Sequence, residues 1–466
     1  MTDIPHAPGS VHDQDMPQRL QEVIAARLDA LPVGRWHRRV LAVVALGAFF
    51  NFFEIALGSL LVPLLPAGWT VTTTDKALLI GATFAGEFVG ALLLSGLADR
   101  YGRRTMFQLN LIAYAVFSIG AAFAQDATSL IALRFLLGIG LGAELILVDS
   151  YLTEMMPSAR RGHLLATAYA LGMTAIPVAG VLATTFPQAP SGLAGWRWLM
   201  LFTALGAVVA WLVRRNLPES PRWLAVHRPQ QALDVMTRIE RETGHSPAPG
   251  GDTLIALEVS ATASSPTEAR PRLWSPALRS RTTLVCVMQL LGPIGIYGFA
   301  SIAPLVLIEK GYTVVDSLAY TAIGALGYPL GCYVLMHLTE RIQRRTLVVA
   351  SALGIAVTGI VFGAGTSVWV ILPAGLLMSL VSVVNATVSR TYSAELFPTG
   401  IRNTALGRTY ALSRLVAAVL PFCTLGILDA LGPTLLFVCC AALITTMGIT
   451  VAALGPRTNA VRLDTV

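Results

Sequence analysis

The stretch RFLLGIGLGAELILVDSYLTEMMPSARRG, residues 134–162, decides the fold because its pattern returns later in the chain. Residues 390–410, RTYSAELFPTGIRNTALGRTY, repeat its second half at an offset of 241 residues, the separation of Tyr151 and Tyr392. The same offset pairs Glu154 with Glu395, Pro157 with Pro398, Arg161 with Arg402 and Tyr169 with Tyr410. One register held over such a length indicates an internal duplication, so the chain consists of two copies of one module.

The repeat extends upstream to a short charged loop. LADRYGRR, residues 97–104 with Gly96 before it, aligns with LTERIQRR, residues 338–345. The second copy keeps the charges but has His337 in place of Gly96 and Gln343 in place of Gly102. Because glycine adopts backbone conformations closed to other residues, we expect a tight turn in the first copy only.

Composition indicates that both modules lie in a membrane. Hydrophobic residues make up 55% of the 466 residues and charged residues 13%, which is more apolar than a soluble protein needs. Runs of about 20 apolar residues match the length of a helix that crosses the hydrocarbon core. They fall at 41–65, 77–98, 105–124, 128–152, 163–186, 196–213, 283–308, 317–338, 346–364, 368–393, 404–428 and 433–455. The sequence therefore predicts an all-α membrane protein with twelve transmembrane helices in two pseudo-symmetric six-helix bundles.

Charge predicts the orientation. Arginines cluster in alternate loops, at Arg35, Arg38, Arg39, Arg100, Arg103, Arg104, Arg160, Arg161, Arg344, Arg345 and Arg402. The two lysines, Lys76 and Lys310, lie in the opposite loops. By the positive-inside rule both termini and the central loop are cytoplasmic, in an inner (cell) membrane. The net charge of +7 is then a topology signal, and scattered basic residues exclude nucleic-acid binding.

These patterns divide the chain into five segments. Residues 1–40 form a cytoplasmic tail, in which 18–31 has the apolar spacing of an amphipathic helix lying on the inner membrane face. The tail has no apolar core of the kind that marks a signal peptide. The other segments are a six-helix bundle at 41–213, a cytoplasmic loop at 214–281, a second bundle at 282–455 and a cytoplasmic tail at 456–466.

Several motifs together resemble the major facilitator superfamily of secondary transporters. They are GLADRYGRR at 96–104, the 134–162 stretch, PESPRWL at 218–224 and YSAELFPTGIRNTALG at 392–407. PESPRWL is similar to sugar porters, whereas FFNFFE at 49–54 resembles the FFDGFD-type entry of proton-coupled organic-acid symporters, with Asn51 and Glu54 in place of two aspartates. The eleventh span, around Arg414, resembles that of organic-anion carriers. The resemblance implies alternating access to a central site.

Ionisable residues inside the membrane are costly, so they mark candidate sites. Glu54 lies roughly 20 Å along the first span and Arg134 roughly 8 Å into the fourth from its other end, which gives both the same depth. We expect them to pair and to form the proton-coupling site, a role that the resemblance also implies. The alternative is a static salt bridge.

Arg414 lies about 15 Å into the eleventh span, at mid-membrane, where a permanent cation suits a substrate carboxylate. The alternative is that Arg414 pairs with Glu87 or Glu144 from another helix. Further polar groups face either the cavity or neighbouring helices, and we take them as candidate substrate-binding residues. They are Asn51, Gln289, Tyr297, Tyr328 and Asn385.

Two charged groups are candidate gates. Asp149 and Arg390 are related by the 241-residue offset and lie near the inner membrane boundary, so they predict an inner gate, with separate contacts inside each half as the alternative. The resemblance implies that Asp99, Arg100, Arg103 and Arg104 form a cytoplasmic latch between the halves.

Two helix features are also predicted. Gly138, Gly140 and Gly142 indicate close packing of the fourth span against a neighbouring helix, and Pro293 predicts a break in the seventh span.

These observations predict a secondary transporter that moves a small organic anion, such as an aromatic acid, together with a proton. A sugar or polyol proton symporter, a drug/proton antiporter and a transporter-like receptor are the alternatives. The sequence shows no catalytic triad, phosphate loop or metal-ligand spacing, so we expect neither an enzyme nor a cofactor. The expected partners are a small-molecule substrate, protons and the lipid bilayer, and we expect the chain to work as a monomer.

Overall fold

The protein is described from a computed structural model that covers residues 16–186, 193–244, 273–276, 278–338, 342–397 and 399–456. In the first copy, spans 1, 2, 3 and 6 are single helices, Arg35–Leu61, Thr73–Tyr101, Arg103–Ala122 and Gly195–Arg214. Span 4 is Ala127–Leu141 continued by Glu144–Met155, and span 5 is Ser158–Met173 continued by Ala175–Thr185. In the second copy, spans 7 to 10 are Arg279–Ala300 continued by Ala303–Glu309, Val314–Ala325 continued by Gly327–Leu338, Arg344–Ala364, and Val368–Glu395. The helix Thr399–Leu454 contains spans 11 and 12.

That last helix is two membrane crossings joined at a break. It is 56 residues long, so it would extend over about 84 Å, far more than a bilayer core of about 30 Å. Gly432 has a φ of 78° and is followed by Pro433, which divides the helix there. Within the described residues, the eleven helices long and apolar enough to cross a membrane thus supply twelve spans. The predicted arrangement of two six-helix bundles is confirmed.

Glycines let spans 2 and 4 approach each other closely. A Cβ atom added to Gly138 would lie 2.3 Å from the carbonyl oxygen of Thr83, and one added to Gly142 would lie 2.4 Å from that of Glu87. Both distances are too short for any side chain, which confirms the predicted packing role of this glycine run. The contact also fixes the backbone of Glu87 against span 4.

Span 7 differs from its prediction. The helix Arg279–Ala300 continues through Pro293, and the interruption comes instead between Ala300 and Ala303. Proline removes one backbone hydrogen bond, here the one to the carbonyl oxygen of Gln289, but does not by itself end a helix. Two residues beyond Pro293, Ser382 of span 10 ties span 7 to its neighbour by a hydrogen bond of 2.7 Å to the carbonyl oxygen of Gly295.

The helix near the N-terminus, Met16–Asp29, is present, but its apolar face does not lie on a membrane. Ile24 and Leu28 are completely buried in a cluster with the helices Pro221–His227 and Pro229–Thr243. Arg27 forms a two-bonded ion pair with Glu240, at 2.8 and 2.7 Å. An amphipathic pattern suits a protein surface as well as a lipid surface, and in this structure the helix packs on the central loop.

The predicted turn of the first copy is at Gly102. Its φ of 97° favours glycine, and a Cβ there would lie 2.3 Å from an Oε2 atom of Glu219. The Glu219 carboxylate accepts hydrogen bonds from the backbone N–H groups of Arg103 and Arg104, at 3.0 and 3.1 Å. Glu219 therefore caps the start of span 3 and ties PESPRWL to the 97–104 loop.

Replacing Gly102 by alanine is expected to destabilise the protein by about 1–3 kcal/mol, because the left-handed backbone is strained and Glu219 must move. The measurement is the Tm of the purified protein in detergent. Gly162→Ala is the control, since a Cβ there meets nothing within 4 Å. Equal Tm values for the two variants would show that the turn does not need glycine.

Candidate functional site

A fully buried ion pair joins spans 1 and 4. Arg134 Nη1 lies 2.8 Å from Glu54 Oε1, and the two side chains are 1% and 0% exposed. Arg134 Nε also donates a hydrogen bond of 2.9 Å to the carbonyl oxygen of Leu79. The pairing predicted from depth is therefore present. Removing either partner would leave a buried charge alone, which costs roughly 3–5 kcal/mol.

A second buried ion pair crosses between the two bundles. Arg414 of span 11 lies 2.9 Å from Glu87 of span 2, and the side chains are 4% and 3% exposed. Of the two partners left open by the sequence, the structure selects Glu87. The carboxylates of Glu54 and Glu87 are close enough to repel each other. The two pairs thus form one network with two acids and two arginines.

Three tyrosines surround the arginines of this site. Tyr410 accepts a hydrogen bond of 3.0 Å from Arg414 Nε, and Tyr297 accepts one of 3.0 Å from Arg414 Nη1. Their rings lie 4.9 and 5.6 Å from the Arg414 guanidinium carbon, and the ring of Tyr169 lies 5.2 Å from that of Arg390. All three tyrosines are half-buried. The result is a pair of arginines flanked by aromatic rings, which suits a planar anion.

Of these tyrosines, sequence reasoning selected only Tyr297 as a site residue. Tyr169 and Tyr410 were visible as an aligned pair of the duplication, which was the available signal. Equivalent positions of the two copies are related by the symmetry axis between them. A tyrosine at both positions can therefore place two aromatic rings close together at that axis. Here both rings lie beside Arg390, with Tyr410 at 5.8 Å.

Asp149 and Arg390 meet across the halves, as the 241-residue offset predicted. Arg390 Nη2 donates to Asp149 Oδ2, and Tyr169 bridges the pair by donating to Asp149 Oδ1 at 2.9 Å and accepting from Arg390 Nη1 at 2.6 Å. The side chains of Asp149 and Arg390 are 25% and 40% exposed. Unlike the two pairs above, this one is reached by solvent.

The halves also meet at the end of the bundle opposite the arginine-rich loops. Thr73 Oγ1 donates a hydrogen bond of 2.6 Å to Asp429 Oδ2. A Cβ added to Gly81 would lie 2.5 Å from the carbonyl oxygen of Ala418, so spans 2 and 11 touch there. These contacts hold spans 2 and 11 together at this end of the interface between the halves.

Glu144 requires a correction. It lies 2.6 Å from Arg214 Nη1, both side chains are 1% exposed, and Arg214 also donates to the carbonyl oxygen of Val44 at 3.0 Å. Its partner is therefore Arg214 of span 6 and not Arg414, because depth along a helix does not tell which neighbour a side chain faces. This third buried pair lies wholly within the first bundle.

The remaining polar candidates have different surroundings. Asn385 donates to the carbonyl oxygen of Val348 at 3.1 Å and to Ser351 Oγ at 2.9 Å, which is the interhelical alternative of the sequence interpretation. Tyr328 is buried, Gln289 is half-buried on span 7, and Asn51 is 1% exposed one turn before Glu54. Neither amide atom of Asn51 has a hydrogen-bond partner within the described part of the chain.

The loop arginines make contacts within each copy. Arg103 pairs with Glu154 at 3.1 Å, and its counterpart Arg344 pairs with Glu395 at 3.3 Å, so the duplication preserves this ion pair. Arg104 donates to the carbonyl oxygen of Arg215 at 2.7 Å. Arg100 lies over the ring of Tyr101 at 5.4 Å. The side chain of Asp99 and residues Glu340 and Arg341 lie outside the described residues, and a latch between the halves stays a prediction.

Comparison with known proteins identifies the family. The family model described as "Sugar (and other) transporter" matches residues 40–466. The chain belongs to this family. Transporters of this family are part of the major facilitator superfamily, so the protein is a membrane transporter and not an enzyme, as the sequence predicted.

Relatives and solved structures of this transporter family agree with that result. The putative metabolite transport protein YyaJ of Bacillus subtilis is 30% identical over 84% of this chain and 86% of its own length. The niacin transporter NiaP of Acinetobacter baylyi is 28% identical over 85% of this chain and 89% of its own. The xylose transporter XylE of E. coli, in a partially occluded inward open conformation, has a TM-score of 0.74 at 16% identity, covering 92% of this chain and 100% of that structure.

Proposed function

We propose that this transporter carries a small organic anion, a carboxylate with an aromatic ring, together with a proton. The observation that carries the proposal is Arg414, a buried cation held between the hydroxyl groups of Tyr297 and Tyr410. A guanidinium can bind a carboxylate by two parallel hydrogen bonds, and aromatic rings beside it suit a flat substrate. The niacin transporter of A. baylyi supports this choice, since niacin is an aromatic carboxylate.

Glu54 and Arg134 form the proposed proton site. Arginine keeps its proton in a protein, whereas a carboxylate can change its charge when its surroundings change. Protonation of Glu54 removes the attraction across the 2.8 Å pair and frees span 1 from span 4. Such a pair links the arrival of a proton to a movement of helices.

The proposed orientation places the arginine-rich loops and both termini in the cytoplasm of a bacterial cell, with the protein in the inner membrane as a monomer. The positive-inside rule supports this orientation. Asp149 and Arg390 then form a gate on the cytoplasmic side, which opens and closes as the two bundles rock about the site between them.

Removing one charge of the gate is expected to lower transport severalfold, because Asp149→Asn or Arg390→Gln leaves a charge without its partner. The charge-swapped double variant, Asp149→Arg with Arg390→Asp, restores the attraction across the axis and is expected to recover most of the rate. The measurement is initial uptake by proteoliposomes at equal protein content. A double variant as slow as the single variants would contradict a pairing role and leave these residues with separate tasks.

Sugar or polyol symport is the second candidate function. The family description and the D-xylose transporter of Levilactobacillus brevis, 27% identical over 71% of this chain and 73% of its own length, favour it. Arg414 gives it less support, because an uncharged sugar would leave the arginine on its partner Glu87 and make no use of its charge. A drug/proton antiporter would move protons opposite to its substrate, which separates it from symport.

The proposal is tested by uptake of radiolabelled nicotinate into proteoliposomes. Benzoate is expected to compete, and xylose and nicotinamide are not, because nicotinamide has the shape of nicotinate without its charge. Competition by xylose together with no nicotinate uptake would support the sugar alternative. Nicotinate binding without any uptake would indicate a receptor.

A further inference from the structure

Arg414 already has a carboxylate partner in the structure, Glu87. We infer that a substrate carboxylate replaces Glu87 on Arg414, and that Glu87 binds the cotransported proton as it is displaced. This inference rests on the proposed function and specifies how its site works. Glu87 then sets both the affinity for the anion and its pH dependence.

The contacts of Arg414 show why Glu87 must leave. Two edges of the guanidinium are occupied by neutral hydroxyl groups, those of Tyr410 and Tyr297. The anionic partner within the described residues is Glu87, on Nη1. Tyr410 occupies the edge formed by Nε and Nη2, so a substrate carboxylate that binds with two parallel hydrogen bonds uses the edge formed by Nη1 and Nη2 and competes with Glu87 for Nη1.

The Glu87 carboxylate is incompletely satisfied and can therefore be displaced. Its Oε2 atom lies 2.9 Å from Arg414, but its buried Oε1 atom has no hydrogen-bond partner within the described part of the chain. A buried carboxylate oxygen without a hydrogen bond destabilises the charged form of Glu87. Protonation removes the charge and so lowers this cost. The pair is thus held at one oxygen, and its loss costs less than that of a two-bonded pair.

Counting charges gives the stoichiometry. The network formed by Glu54, Glu87, Arg134 and Arg414 is neutral, and the ionisable groups that interact electrostatically with Glu87 from other spans are Arg414, Tyr297 and Glu54. A monoanionic substrate adds one negative charge, which is unfavourable by several kcal/mol in a buried site. One proton on Glu87 converts its carboxylate to a carboxylic acid and restores neutrality. Transport is therefore electroneutral, with one proton for each monocarboxylate.

The exchange also affects the two bundles. Glu87 belongs to the first copy and Arg414 to the second, so their ion pair is a tie between the halves. A substrate that takes Arg414 and a proton that neutralises Glu87 remove this tie together. Substrate alone would leave Glu87 charged and unpaired, which disfavours movement without a proton. Glu87 receives the proton at the binding step, and the same proton passes to Glu54 for the movement that follows, so the count stays at one proton for each substrate.

The test counts protons at the binding step. Nicotinate is titrated into the purified full chain by calorimetry in buffers of different ionisation enthalpy. The wild type is expected to take up about one proton per nicotinate, and its affinity is expected to fall by up to about tenfold for each unit of rising pH. Glu87→Gln is expected to bind nicotinate without proton uptake, with an affinity that no longer depends on pH and exceeds that of the wild type at pH 8.

The chain supplies a matched control. Glu144→Gln neutralises an equally buried acid that pairs with Arg214, and it is expected to keep the uptake of one proton. Glu87→Asp retains an ionisable group and is expected to keep it as well, which gives a second variant should Glu87→Gln fold poorly. Proton uptake of the wild-type size in Glu87→Gln would overturn this inference and leave the proposed function unaffected. A wild type that binds neither nicotinate nor benzoate would overturn the proposed function and this inference with it.

Discussion

Substituting Arg414 and Glu87 together by glutamine is expected to weaken nicotinate binding roughly 100-fold to 10,000-fold. Each hydrogen bond between charged groups contributes about 1.5–3 kcal/mol, and the variant loses two of them. The double substitution is chosen because Arg414→Gln alone would leave the carboxylate of Glu87 buried without its partner. Such an unpaired charge destabilises a protein by roughly 3–5 kcal/mol, so a loss of folding could be mistaken for a loss of binding.

The measurement is the equilibrium affinity of the purified protein for nicotinate and for nicotinamide. The neutral amide is expected to bind the wild type and the double variant equally weakly. The matched control is the double variant Glu144→Gln with Arg214→Gln, which neutralises the third buried pair and is expected to keep the wild-type affinity for nicotinate. If Arg414 were purely structural, both double variants would bind nicotinate equally well.

Glu54→Gln is expected to abolish accumulation of substrate against its gradient while leaving exchange across the membrane intact. Glutamine has the shape of a protonated glutamate, so span 1 behaves as though the proton were always bound. Net cotransport requires the proton to leave, whereas exchange of external for internal substrate does not. We expect uptake driven by a pH gradient to fall at least tenfold and counterflow to fall less than twofold, an order-of-magnitude estimate for a lost coupling group.

The measurement compares uptake driven by a pH gradient with counterflow in the same proteoliposomes. Glu54→Asp keeps an ionisable group next to Arg134 and is the control, with part of the gradient-driven uptake retained. Gradient-driven accumulation by Glu54→Gln at the wild-type level would show that the 2.8 Å pair is a static structural feature. Loss of both modes would show that the substitution blocks the movement itself.

Which contacts could be predicted from sequence depended on what fixed the partners. Glu54 and Arg134 share a depth, and Asp149 and Arg390 are equivalent positions of a duplication, so both pairs could be expected before any coordinates. Depth does not determine the direction in which a side chain points around its helix axis. For that reason the sequence left two acids, Glu87 and Glu144, as candidate partners of Arg414, and the structure was needed to select Glu87.

Other features could not be predicted because one pattern suits two environments. The apolar face of Met16–Asp29 would fit lipid, yet Ile24 and Leu28 are buried against protein. Arg214, at the last residue of span 6, was taken as part of a loop, although its guanidinium reaches Glu144 inside the bundle. A long side chain extends the reach of a residue by more than one helical turn, so the boundary of a span does not limit where its charge lies.

The most direct test of the central claim is the pH inside proteoliposomes during nicotinate uptake. With a pH-sensitive dye in the lumen and no imposed pH gradient, an inward gradient of nicotinate is expected to acidify the lumen. The acidification should be unaffected by a membrane potential, and an inward gradient of nicotinamide should produce none. Entry of nicotinate through the protein with no change in lumenal pH, or with alkalinisation, would contradict cotransport of an organic anion with a proton.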